Sequence, residues 1–177
     1  MEGIDGFTVA QTVRRQDENA IIIFITSNRE MMQKAFDVRA FNYLLKMDDT
    51  DRIEQVIRKA ITYENVRKSC FEYRKKAEQY TIRNEDIYYF ESKRRKMCIT
   101  MPEGEDEFYD TVDNVLKRLN PLLFVQIHKS YIVNLEYVER MDSEQIVLRN
   151  GTELKVTNNY RTIFNTKYRN FVMSRMG

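Results

Sequence analysis

The sequence predicts an α/β segment joined by a long helix to a mostly β domain. Three observations predict this. The β-branched run Ile21-Ile22-Ile23-Phe24-Ile25 lies between helical patterns. A polar stretch with helical spacing follows it. Beyond Tyr80, short apolar runs alternate with turn residues.

Composition bounds the answer. The 177 residues are 42% hydrophobic and 32% charged, enough for a core and a well-solvated surface. No apolar run approaches the ~18 residues that suggest a membrane span. Met1–Gly6 lacks the basic and apolar regions of a signal peptide, so a cytoplasmic location is expected. Cys70 and Cys98 are too few for a disulfide framework, and one His limits metal or triad chemistry. The net charge of +2 does not by itself suggest nucleic acid.

Taken in order, Phe7, Val9, Ala10 and Val13 give the apolar side of a short helix. Ile21–Ile25 reads as a strand buried on both faces of a parallel sheet. Thr26-Ser27-Asn28 supplies cap chemistry for a polar helix over Arg29–Val38, with Met31, Met32, Ala35 and Phe36 available to pack. Phe41–Leu45 is a second strand, ending at Lys46. Asp48–Asp51 caps a long helix whose core stripe is Val56, Ile57, Ala60 and Ile61. Its pattern continues through Tyr63, Val66, Cys70, Tyr73, Ala77 and Tyr80, spaced 3-4-3-4-3. That spacing fits a solvated linker helix or a dimer seam. The domain boundary falls within 70–80, giving 1–70, a helical linker over 71–80, and 81–177.

The remainder is mostly strand. Ile87–Phe90, Met97–Thr100, Phe124–Ile127, Tyr131–Val133 and Gln145–Leu148 are the apolar runs. Asn150-Gly151 before Leu154-Lys155-Val156 signals a two-residue hairpin. Asp110–Leu119 is a helix with Val112, Val115, Leu116 and Leu119 on one face, ended by Asn120-Pro121. Residues 160–173 form a terminal helix or a frayed tail. Charge is segregated here: ESKRRKMCIT over 91–100 has four basic residues and one acid, while 103–113 carries six acids. Those acids lack the alternating spacing of a calcium loop, so no metal is expected. No cofactor is expected either.

Two stretches carry a family resemblance. Met1–Gly6, Ile21–Thr26 and Phe41-Asn42-Tyr43-Leu44-Leu45-Lys46 resemble the distal part of a response-regulator receiver, a flavodoxin-like α/β remnant. The resemblance implies that Thr26 is the switch hydroxyl and Lys46 the lysine that pairs with a phosphoryl group. Met47 stands where the family usually has Pro. No Asp of this sequence stands at the acceptor place, so aspartyl phosphorylation of these residues is not expected. Residues 124–134, FVQIHKSYIVN, and 146–161, IVLRNGTELKVTNNYR, are similar to a LytTR DNA-binding domain.

That resemblance implies a transcriptional regulator of a two-component system, reading double-stranded DNA through three loops. The first is Lys93-Arg94-Arg95-Lys96. Arg95, or Arg94 in its place, is the candidate for a guanine edge, and the other cations suit phosphates. The second is His128-Lys129-Ser130, where His128 either meets a phosphate or fixes the loop by a backbone bond. The third is Thr157-Asn158-Asn159-Tyr160-Arg161. Asn158 and Asn159 replace the Arg common in relatives and bring adenine-reading amides without charge. Asn134 is expected to close a turn. The acids of 103–113 are expected to face away from DNA. Expected partners are duplex DNA, a second copy of the chain, and a sensor histidine kinase for a full-length form; no membrane partner and no enzymatic activity are expected. The alternative is an interaction module that pairs with intact regulators.

Overall fold

In a computed structural model, the chain divides into two compact units, Asn65–Phe171 and the remainder, Met1–Glu64 with Val172–Gly177. The structure describes residues 5–28, 35, 37–48 and 50–176, with backbone alone for 174–176.

In the first unit, Asp5 caps helix α1 (Gly6–Gln16) by accepting from the Phe7 N–H. Strands β1 (Ile23–Thr26) and β2 (Asn42–Leu45) pair in parallel, with Ile23 opposite Asn42 and Thr26 opposite Leu45. The expected helix over Arg29–Val38 and the motif at Met1–Gly6 lie largely outside the described residues. Helix α2 (Thr50–Lys68) follows. Its buried stripe is Val56, Ala60 and Tyr63. Ile57 and Ile61, expected in that stripe, stand one position round the helix and are exposed. Likewise β1 is not buried on both faces: Ile25 is 46% exposed, since the described sheet is two-stranded.

The linker helix is overturned. Helix α2 stops at Lys68, where the Ser69 hydroxyl donates to the Val66 carbonyl at 2.6 Å. Residues 71–80 lie in an antiparallel hairpin of β3 (Cys70–Lys75) and β4 (Glu78–Arg83). Burial along this segment has period two. Phe71 and Tyr73 are buried while Glu72 and Arg74 are exposed. Tyr73 stacks on Tyr80 at 5.4 Å across the hairpin, so two supposed seam positions are strand partners.

The second unit is built on a five-stranded antiparallel sheet in the order β7-β6-β5-β9-β8. These are β5 (Tyr89–Lys93), β6 (Lys96–Met101), β7 (Gly104–Phe108), β8 (Phe124–His128) and β9 (Tyr131–Asn134). Strand β7 runs inside the acidic segment, where sequence alone showed only charge. Helix α3 (Val112–Arg118) sits between β7 and β8, with Thr111 as its cap. A second sheet holds β10 (Val138–Met141), β11 (Gln145–Leu148) and β12 (Glu153–Lys155). The turn at Asn150-Gly151 exists but is one residue longer than expected. Val147 faces Glu153, and the Leu148 N–H donates to the Thr152 carbonyl. Only Gly151 has positive φ, +82°, which is the pattern of a three-residue loop and not of a type I′ turn. Helix α4 (Asn158–Met176) closes the chain, so the terminal segment is helical.

The core of this unit contains Phe90, Phe124, Ile99, Met97, Ile132 and Phe164, all fully buried. Phe90 meets Phe71 and Phe124 edge-on at 5.0 and 5.9 Å. Asn134 is buried as well. It donates to the carbonyls of Asn84 and Ile87 and accepts from the Glu136 N–H, a turn-closing role.

Candidate nucleic-acid interface

The first basic segment is a tight hairpin turn. Lys93 and Lys96 pair across β5 and β6, leaving Arg94 and Arg95 as a two-residue connection. Their φ values are +47° and +69°, the pattern of a type I′ turn. Such a turn favours Asn-Gly, because a left-handed backbone brings Cβ against the carbonyl oxygen. Here two arginines occupy it. The turn directs the chain sharply and leaves both guanidinium groups exposed. Among the described residues neither has an ion-pair partner.

The flanking lysines are held instead. Lys93 Nζ meets Glu91 at 2.6 Å and Lys96 Nζ meets Glu107 at 2.9 Å. Each carboxylate raises the pKa of its lysine by hydrogen bonding, and Lys96 in return lowers that of Glu107. The four-residue segment therefore sorts into two outward arginines and two neutralised lysines. The Glu107 contact also brings one acid of the acidic run against the basic turn, so that run does not wholly face away.

The second segment is the turn Lys129-Ser130 between β8 and β9. His128 Nδ1 accepts the Ser130 N–H at 3.1 Å. A nitrogen that accepts carries no proton, so a neutral ring carries its proton on Nε2, as a donor. The two alternatives for His128 are thus compatible: one nitrogen fixes the turn while the other can donate. Lys129 is exposed. The Ser130 carbonyl accepts the Ser92 N–H at 2.8 Å, joining this turn to the end of β5.

The third segment is not a loop. Asn158 and Asn159 are the first residues of α4, exposed, and Thr157 precedes them. The Thr157 N–H donates to the Ile127 carbonyl at 3.0 Å, fixing the helix start beside the end of β8. Arg161 is half-buried. Its guanidinium adds to the backbone N–H donors of Glu144 and Gln145 that hold Asp142 low, with only burial opposing them.

Three segments distant in sequence therefore meet at one end of the five-stranded sheet. Sequence reasoning missed the residues that bind them together. Gln126 Nε2 donates to the His128 carbonyl at 3.1 Å and to the Tyr160 hydroxyl at 3.3 Å, linking the second and third segments. The Tyr131 hydroxyl donates to Glu91 at 2.7 Å, and the same carboxylate group holds Lys93. Burial, then the bond to Glu91, pushes the Tyr131 phenol up to about 12. The available signal was polar Gln126 inside the apolar run Phe124–Ile127. Cys98 is buried, and its thiol is pushed up to about 11 by burial and then by Glu105, so it is an inert packing residue.

In the other unit, Thr26 and Lys46 stand at the carboxyl ends of adjacent parallel strands. The Lys46 N–H donates to the Thr26 carbonyl at 2.9 Å, and the Thr26 hydroxyl accepts from the Asn28 N–H at 3.2 Å. Among the described residues, no group of His, Cys, Asp and Glu could hold a metal ion, and no helix is long and apolar enough to cross a membrane.

A family model described as the LytTr DNA-binding domain matches residues 77–169. The sensory transduction protein LytT of Enterococcus faecalis is 26% identical over 92% of this chain and 74% of its own length. The LytT protein of Bacillus subtilis is 22% identical over 90% and 73%. The transcriptional regulatory protein BtsR of Escherichia coli is 27% identical over 78% and 64%. A solved LytTr DNA-binding domain from Bacillus cereus matches with a TM-score of 0.50 at 19% identity, covering 56% of this chain and 96% of that one.

Proposed function

The chain belongs to the family of LytTr DNA-binding domains, and on that premise we propose that it is a transcriptional regulator which grips duplex DNA with one end of its five-stranded sheet. The observation that carries this reading is the outward Arg94-Arg95 turn beside the Lys129-Ser130 turn and the start of α4. Arg94 and Arg95 supply guanine-edge and phosphate donors, and Lys129 and Ser130 reach phosphates. His128 Nε2 adds a directed donor, and Thr157, Tyr160 and Arg161 complete the phosphate contacts. Asn158 and Asn159 are the sequence readers of the third segment, without charge.

Residues 1–70 are the distal part of a receiver, with Thr26 and Lys46 as its switch residues. The protein acts in the cytoplasm in a two-component system, downstream of a sensor histidine kinase, and these 177 residues carry no aspartyl phosphate. The reading includes no catalytic step. A second reading, a homodimer or interaction module, is favoured by one observation. Ile57 and Ile61, one turn apart on α2, are 43% and 56% exposed. Sedimentation of the chain, with and without Ile57→Lys and Ile61→Lys, tests it.

DNA binding is tested by retaining the chain on a pool of random duplexes at rising salt and sequencing what remains. Enrichment of a repeated motif, with affinity falling steeply in salt, is the expected result. Salt-sensitive retention without enrichment would mean that Asn158 and Asn159 confer no preference. No retention at any salt would refute the reading.

A further inference from the structure

Tyr109 is an exposed aromatic that neither the core nor the three segments account for. It is 78% exposed, although Phe108 before it is buried. Asp110 after it is paired with Arg118 and accepts the Thr111 N–H. Its backbone is therefore fixed on both sides while its ring stands in solvent. Among the described residues nothing hydrogen-bonds its hydroxyl.

Its position follows from strand register. Met97 of β6 faces Phe108 of β7, so Tyr109 lies opposite Lys96, the residue that closes the arginine turn. Lys96 Nζ stands 5.5 Å from the centre of its ring. The turns at Arg94-Arg95 and Lys129-Ser130 leave the sheet from this same end. Tyr109 extends that end past β6, on the side away from α4.

We infer that Tyr109 is a further DNA contact, resting on the DNA-binding reading above: its hydroxyl donates to a phosphate and its ring packs on the adjoining deoxyribose. The chemistry suits the place. A phenol has an apolar body and a polar tip, which fits the alternation of sugar and phosphate along a groove wall. Lys96 beside the ring is paired with Glu107, so the charge of that carboxylate is offset where a phosphate would lie.

The test uses the whole chain and a fluorescein-labelled random-sequence duplex, read by anisotropy over a salt series. Tyr109→Ala is expected to weaken binding about tenfold, the scale of a hydrogen bond to a charged group. The slope of log affinity against log salt should not change, because no cation is removed. Tyr109→Phe should recover part of the loss through the ring. A photo-crosslinking phenylalanine analogue at position 109 should join to the DNA. Thermal unfolding of Tyr109→Ala should match the parent, since the ring is exposed.

If Tyr109→Ala binds like the parent while Arg94→Ala/Arg95→Ala binds weakly, the inference fails and the DNA reading stands. A slope shallower by about one would show that the ring acts only by placing Lys96, and overturns direct contact. If neither variant alters binding, the arginine-turn part of the DNA reading fails and this inference with it, while no binding by the parent at any salt refutes the whole reading.

Discussion

The arginine turn should trade stability for binding. Replacing Arg94 by Asn and Arg95 by Gly keeps the two-residue connection but gives it residues suited to positive φ. A non-glycine residue in the left-handed region costs roughly 1–2 kcal/mol. Asn tolerates that region and Gly is free of its penalty. Against the relief stands the greater freedom of Gly in the unfolded chain, about 0.5–1 kcal/mol. The net gain is on the order of 1–2 kcal/mol, which raises Tm by roughly 2–8 °C for a chain of this size. Binding should move the other way. Two phosphate-neutralising cations removed make the salt slope shallower by about 1.8, at roughly 0.9 per phosphate. If one guanidinium instead reads a guanine edge, the slope changes by about 0.9, and the lost contact costs about 1–3 kcal/mol, roughly 5- to 160-fold. Thermal unfolding followed by circular dichroism gives the first quantity, and anisotropy over a salt series gives the second. A double variant that is less stable than the parent and binds DNA with the parental slope would refute both halves of the reasoning.

Three further outcomes are expected. His128→Asn keeps an acceptor near the place of Nδ1 and removes the distal donor, whereas His128→Gln does the reverse. If the distal nitrogen touches DNA, the Gln variant binds better than the Asn variant, and if the ring only fixes the turn, the order inverts; titration of each with the same duplex decides. Glu107→Gln releases Lys96 from its carboxylate, so affinity should rise at low salt and the salt slope should steepen by about 0.9, measured in the same series. The third outcome concerns pH. Burial tends to raise the pKa of Asp106, but hydrogen bonds from Lys75 and Tyr73 and from the Glu107 N–H outweigh it, and the net shift is downward. A depressed carboxylate stabilises the fold above its unfolded pKa and loses that contribution as pH falls through its folded value. Urea unfolding of Asp106→Asn should therefore show less loss of stability than the parent on the acid side, and no difference would sink the assignment.

The sequence by itself determined the class of each half. Continuous apolar runs beside helical patterns gave the α/β unit, and alternating short runs with turn residues gave the β unit. Local motifs of high specificity, above all HKSYIVN before the Asn-Gly hairpin, located the second and third segments. It also determined the role of Asn134, whose place at a strand end suits turn closure. What it misread were stretches that satisfy two periods at once. Cys70, Tyr73, Ala77 and Tyr80 fit a helical seam, yet Phe71 and Tyr73 alternate with Glu72 and Arg74 as a strand must. Nothing local decides between them. The decision comes from Phe71 packing on Phe90 and Phe108, partners far along the chain. Charge runs were equally undecidable. Strand register brings Glu107 to Lys96, and spacing along β5 puts Glu91 on the same face as Lys93, leaving Arg94 and Arg95 as the cations of the turn without an ion-pair partner among the described residues. The gathering of three segments at one sheet end, and the placing of Tyr109 beside them, are likewise products of cross-strand hydrogen bonds between residues distant in sequence, a property that no single window of residues carries.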